Sequence, residues 1–209
     1  MQKYIKHYII TFRYIKLISY ILSKYLHNKI QKYHNQGYDM GKCAKYNIQV
    51  YYYGFQIIIG GINKFILLII SGLLLNILPQ LLLTTISFAS LRFWTGGLHL
   101  DSYPKCSYIS LLSFTLTALL AKYIILNQFI SMLIFLFVLF LILIYAPIEH
   151  PNKPIKENKK IKFKIIALFV LTILVIIYSL THNVIISNSI IYGILLAGLI
   201  STPIVNKLK

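Results

Sequence analysis

The chain has 209 residues, of which 58% are apolar, and its mean hydropathy is +0.73. Apolar segments this long and this numerous exceed what the core of a soluble domain needs, so they indicate an all-α integral membrane protein. A transmembrane β-barrel is excluded because runs such as 129–145 are apolar on every side and do not alternate between two faces.

The charge of the chain is strongly positive, +17 from 21 basic and four acidic residues. In a soluble protein this charge would suggest nucleic acid, but most of the lysines lie in the tails and in one loop between apolar runs. We therefore expect them to fix topology and to attract anionic lipids or an acidic peptide, and we expect no nucleic acid as partner. The scarcity of acids disfavours mechanisms based on carboxylate pairs and carboxylate-rich metal sites.

Residues 1–34 are predicted to form an amphipathic basic helix. Lys6, Arg13 and Lys24 lie on the helical face opposite its apolar residues. The helix lies either on the membrane surface or against the cytoplasmic face of the protein itself, and the sequence leaves both placements open. A signal peptide is excluded because charges recur throughout the segment. The apolar face comprises Ile5, Tyr8, Phe12, Ile15, Leu22 and Leu26.

A polar connector with the start of the first membrane helix covers residues 35–56, and the predicted transmembrane domain covers 57–209. Several of its apolar runs approach the ~20 residues that cross a bilayer. Lys64 lies inside the first run, where its amine could snorkel to the interface or face the protein interior as a functional charge, and we favour snorkelling. The six runs are 57–78, 79–93, 107–125, 127–146, 163–181 and 184–204.

The positions of the lysines predict about six crossings of the cell membrane, with both termini in the cytoplasm. The 147–162 loop, which holds five lysines, and the basic C-terminal tail then lie inside, whereas the outer turns have Lys122 close by. This topology places residues 92–106 at the cytoplasmic interface. Thiols stay reduced there, so we expect Cys43 and Cys106 to be free.

The stretch 92–106 brings a histidine and a cysteine close together between two apolar runs. An imidazole can take the proton of a neighbouring thiol and stabilise the thiolate, so His99 and Cys106 could form a nucleophilic dyad. On one straight helix these residues would be about 10 Å apart. The chain must therefore bend, and Gly96, Gly97 and Pro104 allow a bend.

Two charged residues of the same stretch could support this dyad. Arg92 could neutralise a carboxylate or stabilise an oxyanion, or it could anchor its helix at the interface. Asp101 could orient His99 or be a solvated loop acid. We expect no metal, because His99 and Cys106 have no third His or Cys nearby in sequence, and no cofactor, because no cofactor motif is visible.

The order and spacing of Arg92, Gly96-Gly97, His99 and Cys106 resemble the motif of the accessory gene regulator B family, whose members are membrane-embedded cysteine endopeptidases of Gram-positive quorum sensing. The Tyr-Gly-Phe-Gln segment at 53–56 resembles a second signature of that family. The likeness in architecture covers most of the chain, although about 15 residues carry specific identity.

This resemblance implies that Cys106 is the nucleophile and His99 the general base and later acid, with Arg92 and Gly97 in support. Gly96 and Asp101 are further candidates for supporting residues. It also implies a substrate, a short peptide precursor with an amphipathic leader and an acidic tail. Cys106 would release the tail and hold the peptide as a thioester. An internal thiol or hydroxyl would then close a thiolactone or lactone ring. A homodimer fits the same resemblance.

Two positions depart from the family pattern. Leu100 stands where a small residue usually follows the histidine, which implies a different pocket shape. Gln56 stands where the second signature often has an acid, so a charge role at that position is in doubt.

An alternative from another class is a non-enzymatic membrane protein, such as a peptide exporter, a pore former or a scaffold. It predicts polar residues within several spans, and Lys64, Asn76 and Asn127 are candidates. It also predicts that replacement of Cys106 or His99 is tolerated. Neither the ring size of a product nor its export is readable from the sequence.

Overall fold

The computed structural model describes residues 2–37, 47–96, 103–148 and 157–202, with side chains described from residue 13 of the first helix, 106 of the fourth and 159 of the sixth. These residues form seven helices, which confirms the all-α prediction. The helices are α1 Gln2–Asn35, α2 Ile48–Leu74, α3 Leu78–Thr95, α4 Tyr103–Tyr123, α5 Gln128–Tyr145, α6 Glu157–Leu180 and α7 Val184–Ile200.

Four of the described helices are long and apolar enough to cross a bilayer: α2, Cys106–Tyr123 of α4, α5 and Lys159–Leu180 of α6. The helix α7 is apolar but shorter, with 17 residues. These helices support a membrane protein. The count of six crossings and the cytoplasmic placement of both termini stay predictions.

Asparagines end and begin several helices. The side chain of Asn127 accepts a hydrogen bond from the N–H of Ile130 at the start of α5, and Asn183 caps α7 in the same way. Asn76 adopts a positive φ of 54° in the turn that joins α2 to α3. Asn76 and Asn127, which the exporter alternative would place on a transport path, thus form a turn and a cap.

The chain groups into two compact units. The first unit comprises Met1–Leu67 and Ser102–Ser107, which include α1, most of α2 and the first turn of α4. The second unit comprises Leu68–Asp101 and Tyr108–Lys209.

In the second unit α7 packs against α3, α5 and α6. The approach to α3 is close at Gly193, where a Cβ atom would lie 2.6 Å from the carbonyl oxygen of Thr84 and 2.8 Å from the Cβ of Ser87. Small residues permit such approach between membrane helices, where van der Waals packing replaces the hydrophobic effect as the main attraction. Fully buried side chains around this contact include Leu91, Val138, Ile142, Ala167, Ile191 and Ile194.

A buried asparagine of α7 holds the end of α4. Asn188 is 3% exposed, and its amide nitrogen donates to the carbonyls of Ala121 (2.9 Å) and Ile124 (2.8 Å). Its amide oxygen accepts from the N–H of Leu126 at 3.1 Å. Because buried polar groups are stable when their hydrogen bonds are made, Asn188 has a structural role here.

In the first unit α1 buries a face that runs through Ile15, Ser19, Ser23 and Ile30. This face includes Ile15 of the apolar face predicted from the sequence, and the ring of His27 lies 6.2 Å from that of Tyr51 of α2. The burial supports packing of this face against the protein itself. Apolar side chains on the opposite side are exposed, among them Tyr14, Leu17, Ile18, Ile21 and Tyr25.

Candidate active site

The proposed nucleophile, Cys106, is a free, half-buried thiol in the first turn of α4. The helix begins at Tyr103, and Pro104 fits its first turn because the N–H that proline lacks has no partner there in any helix. The remaining N–H groups of a first turn and the helix dipole both stabilise negative charge. Cys106 therefore lies at the end of α4 that favours negative charge.

Lys64 of α2 reaches this cysteine. Its Nζ donates a hydrogen bond to the Sγ of Cys106 over 3.4 Å, and the contact is partly buried. Both residues belong to the first unit, although 42 positions separate them in the chain. The contact gives the amine of Lys64 a partner within the first unit. Its snorkelling, which the sequence favoured, stays a prediction.

Arg92 and Gly96 meet in the second unit, at the end of α3. The N–H of Gly96 donates to the carbonyl of Arg92, and the guanidinium of Arg92 donates to the carbonyl of Gly96. Arg92 is thereby used at the C-terminal end of its own helix, where a positive charge is favourable. Its predicted action on a carboxylate or oxyanion stays a prediction.

Gly96 could not be another residue without movement of the chain. Its φ of 69° and ψ of −157° fall in a region that is essentially restricted to glycine. The N–H of Ile148 donates a hydrogen bond to the carbonyl of Thr95 over 2.9 Å, which holds Ile148 close to Gly96. A Cβ atom at Gly96 would therefore collide with the carbonyl oxygen of Ile148. The chain leaves α3 at Gly96, and α4 begins at Tyr103. The bend that would bring His99 to Cys106 stays a prediction, because residues 97–102 lie outside the described ranges.

A side-chain hydrogen bond holds the same turn to α7. The hydroxyl groups of Thr95 and Ser201 lie 2.9 Å apart, and Thr95 is 1% exposed. Ser201 also donates to the carbonyl of Ala197 over 2.7 Å. The turn that leads toward His99 is thus held by α7 as well as by the segment at Ile148.

Gly97, His99 and Asp101 lie outside the described residues, as does Cys43. The pairing of His99 with Cys106 and the support from Gly97 and Asp101 therefore stay predictions. Within the described ranges, no group of three or more His, Cys, Asp or Glu residues could hold a metal ion.

Lys64 is the site residue whose partner sequence reasoning did not identify. The signal was present, because an ionisable residue inside an apolar span is by default a functional candidate. The lysine side chain is long enough to reach the interface, however, and its partner is distant in sequence. Composition alone could not choose between the two placements.

Comparison with known proteins places this chain in a family. The model described as "Accessory gene regulator B" matches residues 23–201, which include both Lys64 and the 92–106 stretch. The chain belongs to the accessory gene regulator B family. This confirms the resemblance to that family.

Three relatives illustrate the likeness. An AgrB-like protein of Clostridium perfringens strain SM101 is 31% identical over 133 residues, 60% of this chain and 62% of its own. An AgrB-like protein of Clostridium beijerinckii is 28% identical over 76% of this chain and 78% of its own. The accessory gene regulator protein B of Staphylococcus intermedius is 31% identical over 72% of this chain and 80% of its own. No solved structure matches the chain significantly.

Proposed function

We propose that this protein is a membrane-embedded cysteine endopeptidase that removes the C-terminal tail of a quorum-sensing peptide precursor and promotes ring closure of the remainder. The observation that supports it most is the free thiol of Cys106, held in a first helical turn beside the ammonium group of Lys64, in a chain of this family. His99, seven residues earlier in sequence, supplies the acid and base.

The first chemical step forms an acyl-enzyme. The thiolate of Cys106 attacks the carbonyl carbon before the tail, a C–S bond forms, and the carbonyl electrons move to oxygen. N–H groups of the first turn of α4 are suitable donors for this oxyanion. When the oxyanion collapses, the C–N bond breaks, and protonated His99 gives its proton to the departing amine.

The second step closes the ring. A thiol or hydroxyl within the bound peptide gives its proton to His99 and attacks the thioester carbon, and Cys106 leaves as a thiolate. A thiol attack exchanges one thioester for another and so roughly preserves the activation of the acyl group. Burial at the membrane limits access of water, which favours ring closure over hydrolysis.

The basic segment at the start of α6 suits the acidic tail of such a precursor. Lys159, Lys160, Lys162 and Lys164 follow one another within the first two turns of the helix. Opposite charges speed association and select partners. We propose that these lysines also contact anionic lipids, that the site and both termini are cytoplasmic, and that the protein acts as a homodimer.

Mass spectrometry of a co-expressed candidate precursor peptide tests this function. We expect a cleaved or cyclised peptide with the wild-type protein, and unprocessed peptide with Cys106→Ala and with His99→Ala. The matched control is Cys43→Ala, which removes the other cysteine and should leave processing intact.

Two results would contradict the proposal. Processing by the Cys106→Ala protein would remove Cys106 as the nucleophile. Unprocessed peptide with inserted, folded wild-type protein, across the precursors encoded beside the gene, would favour the exporter or scaffold alternative.

A further inference from the structure

We propose that Lys64 holds the sulfur of Cys106 as a thiolate before the substrate arrives, so that His99 serves mainly in proton transfer to and from the peptide. This inference rests on the proposed function of Cys106 as the nucleophile. It concerns the site before substrate binds. In a dyad of His99 and Cys106, the imidazole and not Lys64 would stabilise the thiolate.

The geometry suits an ammonium–thiolate pair. Nζ lies 3.4 Å from Sγ, within the range of a hydrogen bond to sulfur, and the nitrogen is the donor. A lysine ammonium has donors and no acceptor, so it binds a thiolate more strongly than a neutral thiol.

Each of the two groups lies where an unpaired charge would be costly. Lys64 lies within the first apolar run, about 10 Å along the helix from the predicted start of that run at residue 57. A charge at such depth is unfavourable unless it is paired. Burial likewise disfavours a lone thiolate. Together the two groups carry no net charge, and the first turn of α4 adds further stabilisation on the sulfur side.

The two assignments, a thiolate generated by His99 and a thiolate held by Lys64, predict different effects of substitution. If His99 alone generates the thiolate, removing His99 slows every reaction of Cys106, and removing Lys64 leaves thiol reactivity unchanged. If Lys64 holds the thiolate, removing Lys64 slows the reaction with a small alkylating reagent. Removing His99 then abolishes peptide cleavage but has a smaller effect on alkylation, because a small reagent needs no general acid.

The test is the alkylation rate of Cys106 in membranes at neutral pH, with iodoacetamide as the probe and intact-protein mass as the readout. All variants carry Cys43→Ser, so that one thiol is followed. We expect Lys64→Met to slow alkylation about tenfold or more, because the sulfur loses its ammonium partner. Lys64→Arg keeps the charge and should stay within about threefold of the parent.

The matched control is Lys122→Met. Lys122 also lies near the end of an apolar span, but its Nζ donates to the carbonyl of Asn76 over 3.0 Å. We expect its removal to leave the alkylation rate unchanged. Alkylation after unfolding in detergent should proceed at one rate in all variants, and size-exclusion chromatography checks folding. If Lys64→Met does not insert, Lys64→Gln replaces it.

An unchanged alkylation rate in folded Lys64→Met protein would overturn the inference, as would a greater slowing by His99→Ala than by Lys64→Met. The alkylation assay contains no peptide, so its result does not depend on whether the protein cleaves peptides. If Lys64→Met is alkylated slowly but the wild-type protein processes no peptide, the proposed ion pair is supported and the proposed endopeptidase activity is contradicted.

Discussion

The turn at Gly96 and the contact between Lys64 and Cys106 are held in opposite ways. Backbone and side-chain hydrogen bonds to Arg92, Ile148 and Ser201 fix the turn, and no Cβ fits at its centre. The lysine and the cysteine meet through a flexible side chain and an N–H···S hydrogen bond. Hydrogen bonds and close packing therefore hold the turn in place, whereas the interaction of a charged amine with sulfur holds the second contact. Substitutions in the two should change different observables.

The largest effect on stability is expected for Gly96→Ala. The methyl group must occupy a backbone region closed to alanine and displace the carbonyl of Ile148, which should lower the free energy of unfolding by about 2–4 kcal/mol. Unfolding titrations in mixed micelles measure this. The control is Gly61→Ala, since a Cβ at Gly61 of α2 would meet nothing within 4 Å, and alanine should stabilise the helix by up to about 1 kcal/mol. Equal stabilities of the two variants would show that the turn is not fixed as described.

A smaller loss is expected for Gly193→Ala, which forces α7 away from Thr84 and Ser87 of α3. The nearest atom is a backbone carbonyl oxygen 2.6 Å from the added Cβ, so the two helices must separate, and we expect a cost of about 1–3 kcal/mol. The same unfolding titration measures it, again with Gly61→Ala as the reference. A stability equal to that of the reference variant would contradict the close contact between the helices.

The smallest effect on stability is expected for Lys64→Met. Methionine fills similar space without a buried charge, so the free energy of unfolding should change by less than about 1 kcal/mol. A loss as large as that of Gly96→Ala would remove the contrast between the two regions, because the lysine would then be part of the packing. The change should instead appear in the reactivity of the thiol.

The sequence predicted the helices well because each apolar run is long and unambiguous. The run predicted at 127–146 is α5, Gln128–Tyr145, and an asparagine caps it. The start of α2 was less predictable: Ile48–Gln56 is helical, although three consecutive tyrosines there resemble neither an apolar run nor a helical cap. The start of α6 at Glu157 extends into the lysine-rich loop, since glutamate and lysine are good helix formers.

The candidate site was predictable in its residues and not in its contacts. The motif identified Arg92, Gly96 and Cys106 because their order is local in sequence. The partners of these residues are not local: Lys64 comes from another helix, and Ile148 follows α5. One sequence records no such pairing, and only the folded chain brings these residues together.

The buried face of α1 has a consequence for how that helix can move. The hydroxyls of Ser19 and Ser23 donate to the carbonyls of Ile15 and Tyr20, within their own helix. The hydroxyl groups of both serines thus make their hydrogen bonds within α1 and need no partner on a neighbouring helix. Between Ile15 and Ile30 this face carries two small side chains. A sliding or rotating α1 would break no hydrogen bond at these serines. These two serines therefore do not fix the register of the helix, whereas the buried side chains of Ile15 and Ile30 contribute to it.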